Sequence, residues 1–392
     1  LNRTSLRACR PAFVVLAMSL ALAACAGRPT EDLLSNHILP AQQSQIADTH
    51  RIYVATTRAR ASRNAELYTG DRASQLSYAR VDVSVPAIHK TGEIEYPKLG
   101  PRDPAKYFTA TSAATYPQEE GIVAELAESI RKDGGRALVF VHGYNTRFDE
   151  AVYRLTQFVQ DADYPGAPVL FTWASGGRVV DYIYDRDSST LARDGLERTL
   201  RMVRKAGAKR IDIIAHSMGN WVTLEALRQL AITGDRDLGG RLGDVILASP
   251  DVDVDIFKSQ MRRYGVPDKP FFVLLSGDDR ALNVSGLIAG NRPRLGRYED
   301  AGDIAAYGVT VVNVTNVEAG DMANHTKFAD NPVLVTLIGD RLRRGDNLAQ
   351  EEDDLGNHIE QLARGIGQTA FSAASIVITT PAALVGAAVS PR

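Results

Sequence analysis

The 392 residues are 44% hydrophobic, enough for one large α/β domain or two smaller ones. Basic residues number 45 against 47 acidic ones, and loss of an N-terminal leader removes three arginines and no acid, leaving a balance of about −5 that argues against a nucleic-acid surface. Cys9 and Cys25 are the only cysteines, so a chain cut before Cys25 has no internal disulfide and no cysteine metal site.

Arg3, Arg7 and Arg10 form a basic start, and Phe13–Ala21 is an apolar run too short to span a bilayer comfortably. Leu22-Ala23-Ala24-Cys25 follows and resembles the lipobox of bacterial lipoproteins. That resemblance implies cleavage after residue 24, lipid on Cys25 and, with Ala26 next, an outer-membrane anchor facing the periplasm. Several acyl chains on one cysteine suffice for stable anchoring. Residues 25–49 then read as a polar tether, residues 50–345 as the folded domain, and residues 346–392 as an acidic and then apolar tail.

Within the domain, Arg51–Thr57 and Leu76–Pro86 are β-branched and alternating, and read as strands. His89–Tyr96 turns at Gly92 into another short strand, and these pieces make an antiparallel start to a sheet. Gly100–Pro117 reads as loop. Glu119–Lys132 is an amphipathic helix with Ile122, Val123, Leu126 and Ile130 on one face. Ala137–Val141 is a continuous apolar run, the mark of a buried parallel strand. Thr146–Asp149 fits a capping box for a helix through Gln160. Val169–Ala174 is the next strand, and Ser188 opens a helix to about Lys205. Asp244–Ala248, Phe271–Leu275 and Val309–Val314 complete the strand series. Strands alternating with helices of this length predict right-handed crossovers and a mostly parallel sheet covered on both faces. The uncharged stretch Gly365–Pro391 reads as a weakly ordered tail, with Pro381 and few large apolar residues against a spanning helix.

The centre of the pattern is Arg210–Leu230: an apolar strand, a sharp turn at His216-Ser217-Met218-Gly219, then apolar residues at helical spacing. A serine on a strand-to-helix turn exposes its hydroxyl above the sheet edge, with the Met218 N–H beside it to meet an oxyanion. A serine nucleophile needs a base and the base needs an orienting carboxylate. Only His325 and His358 follow Ser217 in the chain. His325 lies in a loop after the last strand, whereas His358 lies beside the acidic cluster Glu351–Asp354 and reads as a surface residue. Asp279, ending an apolar strand, is the expected acid, with Asp278 and Asp251 as alternatives. Tyr144, after His142-Gly143, is the expected second oxyanion N–H. His142 and His216 read as structural, and Trp173 as core or substrate-contacting.

The segments VFVHGYNTRFDEA, FTWASG, IIAHSMGN and LLSGDDRAL together resemble a family of bacterial α/β-hydrolases of unknown function, esterase- and lipase-like. The resemblance runs from about Arg51 to His325. It implies the α/β-hydrolase fold with Ser217 as nucleophile, His325 as base and an acid at Asp279, and it implies no substrate. The expected activity is hydrolysis of small-molecule or lipid carboxylic esters without metal or organic cofactor. Acyl transfer to an envelope lipid or glycan, a non-catalytic envelope scaffold, and peptide cleavage stay open as alternatives.

Overall fold

The computed structural model describes residues 32–97, 100–344 and 376–381. The leader, Cys25, the acidic cluster, His358 and most of the apolar tail lie outside the described residues.

Among the described residues the strands form one ten-stranded sheet in the order β10-β9-β8-β7-β6-β4-β5-β1-β2-β3. Its parallel centre is β1 (Ile46–Arg60), β4 (Arg136–Val141), β5 (Ala167–Thr172), β6 (Arg210–His216), β7 (Leu242–Ala248), β8 (Phe271–Leu275) and β9 (Val309–Asn313). At one end β2 (Tyr68–Pro86) pairs antiparallel with β1, and β3 (Thr109–Tyr116) pairs antiparallel with β2. At the other, β10 (Val377–Thr379) runs antiparallel to β9.

Period-two alternation explains why the sheet is covered on both faces. On β4, Val139 and Val141 enter one core while Leu138 and Phe140 enter the other; on β6, Ile211 and Ile213 are divided from Ile214 in the same way. The first face is covered by α1 (Glu119–Lys132), α3 (Tyr182–Lys205), α4 (Gly219–Ile232) and α5 (Val254–Tyr264). The second carries α2 (Phe148–Asp161) and α7 (Pro332–Arg344), with Phe328 between them and the sheet. Each fully buried aliphatic side chain is worth about 1.5–3 kcal/mol, so the two cores, more than any local propensity, hold the strands in register. A further helix, α6 (Arg280–Ile288), lies over the carboxyl edge of β8. Among the described residues no helix is long and apolar enough to cross a membrane.

Three expectations are corrected. The third antiparallel strand is Thr109–Tyr116, inside the stretch read as loop, and residues 89–96 form turns instead of a strand. The tether ends earlier than residue 49: Leu33 is fully buried, the Leu34 N–H reaches the Ala65 carbonyl at 2.8 Å, and β1 begins at Ile46. The tail is not loose throughout, since Val377–Thr379 extends the sheet. Two helix starts also differ. Arg147, not Thr146, caps α2, its N–H donating to Glu150 at 2.9 Å, and α3 begins at Tyr182.

Candidate active site

Ser217 sits between β6 and α4 with φ 54°, a left-handed conformation rarely adopted by a non-glycine residue. Such strain persists only where the surroundings impose it. Here the Ser217 N–H donates to the Ala248 carbonyl at 3.0 Å, while the Asp251 N–H and the Asn220 side chain both donate to the Ser217 carbonyl. Close approach of backbone demands the flanking glycines. A Cβ on Gly219 would collide with the carbonyl oxygens of Val141 and His142, and one on Gly143 would sit 2.7 Å from the Ser217 Cβ. The loop after β4 is therefore pressed directly against the elbow.

His325 is brought to this point by a folded turn. Asp321 accepts the backbone N–H groups of Ala323, His325 and Thr326 at 2.9–3.1 Å, and Asn324 takes a left-handed φ of 56°. The His325 ring packs 4.7 Å from the His216 ring, centroid to centroid, and the His216 Nε2–H donates to the His325 carbonyl at 3.0 Å. Its Nδ1 lies 2.7 Å from Asp279 Oδ2. Burial alone would lower the His325 pKa, but the bond and charge of Asp279, helped by Asp251 and Asp321, leave it raised above 6.5. With Nδ1–H given to Asp279, the Nε2 lone pair remains to take a proton. Among the described residues no hydrogen bond joins His325 to the Ser217 hydroxyl.

The three candidate acids are separated by what each is bonded to. Asp279 is fully buried and caps α6, its Oδ1 accepting from the Leu282 N–H at 2.9 Å while Oδ2 faces His325. Asp278 is held by Lys327 at 2.7 Å, by Asn324 and by Ser276. Asp251 lies in a buried network with Arg294, Tyr182 and Ser285 at 2.8–3.1 Å. Only Asp279 of the three bonds His325.

The Met218 N–H, at the start of α4, meets no acceptor among the described residues, and an open donor beside the serine is what an oxyanion requires. Tyr144 follows Gly143 on the loop against the elbow, its ring edge-on to Tyr182 at 5.2 Å. His142 is buried and structural. Its Nδ1–H donates to the Gly143 carbonyl at 2.8 Å, while Nε2 accepts from Thr172 Oγ1 and from the Trp173 N–H. Burial and the Arg58 guanidinium lower its pKa to about 3, so it stays neutral. Trp173 is fully buried and stacks on it at 5.0 Å, which makes it core.

Arg58 and Asp185 escaped the sequence reading. Arg58 is fully buried and ties together the carbonyls of Thr69, Thr146 and Ser175 and the hydroxyl of Thr172. Asp185 accepts from the Asn145 and Gly176 N–H groups and the Ser175 hydroxyl at 2.6–2.9 Å. Together they stiffen the loop that carries Gly143 and Tyr144. Among the described residues no group of three or more metal-ligating side chains occurs.

Residues 118–341, more than half of the chain, match the model of a family described as alpha/beta hydrolase of unknown function (DUF900). No curated protein matches. Among solved structures, Aspergillus fumigatus lipase B is similar at 13% identity and a TM-score of 0.28, over 42% of this chain and 43% of that one, so this chain spans under half of its length. The carboxylesterase EstE1, cloned from a metagenomic library, is 14% identical over 77% of this chain and 90% of its own, with a TM-score of 0.35. Fungal esterase from Rhizomucor miehei is 10% identical over 76% and 84%, with a TM-score of 0.36. The mixed, mostly parallel sheet with its antiparallel start is the α/β-hydrolase fold.

Proposed function

We propose that this chain, which belongs to the alpha/beta hydrolase family of unknown function, hydrolyses carboxylic esters through Ser217, His325 and Asp279. The observation that carries the reading is the 2.7 Å contact of His325 Nδ1 with a buried carboxylate, set beside a serine strained into the left-handed region. In this reading the Ser217 Oγ attacks the acyl carbon while its proton passes to His325 Nε2. The Met218 and Tyr144 N–H groups receive the oxyanion. The C–O bond to the alcohol breaks, the alcohol oxygen takes the proton from His325, and the acyl group stays on Ser217. A water then attacks the acyl carbon as its proton passes to His325, the Ser217 Oγ–acyl bond breaks, and His325 returns that proton to Ser217 Oγ, releasing acid and free enzyme. Asp279 holds the imidazole tautomer and stabilises the imidazolium.

The missing Ser217–His325 bond fits this reading, because hydrogen bonds of free enzymes often tighten only when substrate is bound. A fluorophosphonate probe tests it: the chain should label and Ser217→Ala should not. Equal labelling of the two proteins would remove Ser217 from the chemistry.

A further inference from the structure

Helix α6 is built inside out. Its buried positions are Leu282, Ser285 and Gly286, and the Ser285 hydroxyl turns inward to Asp251 at 2.8 Å. Val284, Leu287 and Ile288, spaced i, i+3, i+4, instead stand 55, 61 and 51% exposed. Core packing does not produce a helix with serine inside and three branched aliphatics outside. Val179, Val180 and Ile183, at and just before the start of α3, form a second exposed apolar group, with Val180 80% exposed.

Both groups hang on the candidate site. Tyr182 donates to Asp251 Oδ2 at 2.9 Å, Ser285 donates to Oδ1, and the Asp251 N–H donates to the Ser217 carbonyl at 3.2 Å. Met322, 84% exposed, lies on the His325 turn, and Arg280 at the head of α6 donates to its carbonyl. Exposed apolar side chains gathered in this way around one set of hydrogen bonds mark a place of interaction.

The charge around it narrows the partner. Residues 280–297 carry four arginines and no acid, in a chain that is acidic overall, and Arg280 and Arg292 are exposed. Arg294 is buried against Asp251, so the exposed charge is one arginine before the aliphatic face and one after it, a composition that suits an anionic lipid surface. Chain geometry agrees. Asp32 pairs with Arg63 at 2.8 Å in the connection after β1, at the same carboxyl edge of the sheet as Ser217. Cys25 precedes Asp32 by seven residues, so lipid on it would keep this edge within about 25 Å of the membrane.

We propose that this lip seats on a bilayer containing anionic phospholipid, and that the ester reaching Ser217 belongs to an acyl lipid of that surface. The second half rests on the hydrolase reading; the first does not.

The test uses the full chain with Cys25→Ser, which removes the anchor. With Ser217→Ala added, it should sediment with vesicles of phosphatidylcholine and phosphatidylglycerol, and less with phosphatidylcholine alone. Val180→Asp, Leu287→Asp and Ile288→Asp together should lower the bound fraction about tenfold at unchanged melting temperature, since all three side chains face solvent. Equal sedimentation of the two proteins overturns the docking surface, as does a concentration-dependent dimer that the triple change abolishes. With Ser217 intact, the triple variant should keep its turnover of a soluble butyrate ester and lose about tenfold in fatty acid released from vesicles. A chain that binds vesicles and cleaves the soluble ester but releases no fatty acid overturns the lipid substrate. A chain that cleaves no soluble ester refutes the hydrolase reading and the lipid substrate with it, while sedimentation still decides the surface.

Discussion

His216 donates through Nε2 to the carbonyl oxygen of His325, 3.0 Å away, and so couples the elbow to the turn that carries His325. Its ring also packs on Phe328 at 4.8 Å. Burial, then the neighbouring His325, drive its pKa well below 6.5, so it acts as a neutral donor at pH 7. His216→Phe keeps an aromatic ring in place and deletes the donor. One lost hydrogen bond of about 1–1.5 kcal/mol converts to a fall of about tenfold in kcat, with KM little changed. A steady-state comparison on a chromogenic ester checks this, and an unaltered kcat would make His216 mere packing.

If His325 is the base, the proposed hydrolysis should show an acid limb set by its raised pKa. His325 accepts a proton only when neutral, so kcat/KM should fall as pH drops through a value above 6.5. Asp279→Asn removes the charge that raises it, so the residual activity should show its acid limb at lower pH and a kcat lower by about four orders of magnitude. Profiles of both proteins from pH 5 to 9 decide the matter; an unmoved limb would mean another group titrates.

Removing the Arg58 side chain should cost stability before it costs chemistry. Arg58→Met leaves the Thr69, Thr146 and Ser175 carbonyls facing a buried gap without donors. The expected loss is about 3–5 kcal/mol by urea unfolding, and Arg58→Lys should not restore it, because one ammonium cannot reproduce the planar fork.

His89 makes a pH-dependent clamp between the turns after β2 and helix α2. Its two nitrogens lie 2.8 Å from Glu95 and 2.7 Å from Asp161. Burial pushes its pKa down, but the two carboxylates outweigh this and leave it raised above 6.5. A raised folded-state value means the stabilisation is complete below pH 6.5 and lost as pH climbs through the folded pKa. The stability difference between the natural chain and His89→Gln should therefore be largest near pH 6 and shrink toward pH 9. A gap that is constant over that range would assign the residue to packing alone.

The parallel centre of the sheet could be read in advance because strands buried on both faces are written as unbroken apolar runs. Phe271–Leu275 has the predicted bounds, and the other central strands differ by a few residues at their ends. Strand β3 could not be read, because TATSAATY carries neither an apolar run nor an alternating one. Its conformation is imposed by the β2 edge beside it. At the site, Ser217 and His325 stand out by their place in the chain, whereas Asp279 is preferred to its neighbour Asp278 with little in the sequence to separate them. Cap geometry separates them: the residue that caps α6 must turn its carboxylate back over the strand end, toward the histidine turn. Arg58 gave no signal, since one arginine in an alternating strand is ordinarily solvated, and its burial depends on Thr69 in β2 and on the loops at Thr146 and Ser175, which are remote in sequence.

The three-residue rung Val377–Thr379 has a protective consequence. It pairs with Val311–Asn313 of β9, whose Val309–Val312 stretch is buried and has valine at three of its four positions. A chain truncated after Arg344 would bare that edge as a template for foreign strands, so shortening the protein for handling invites clumping.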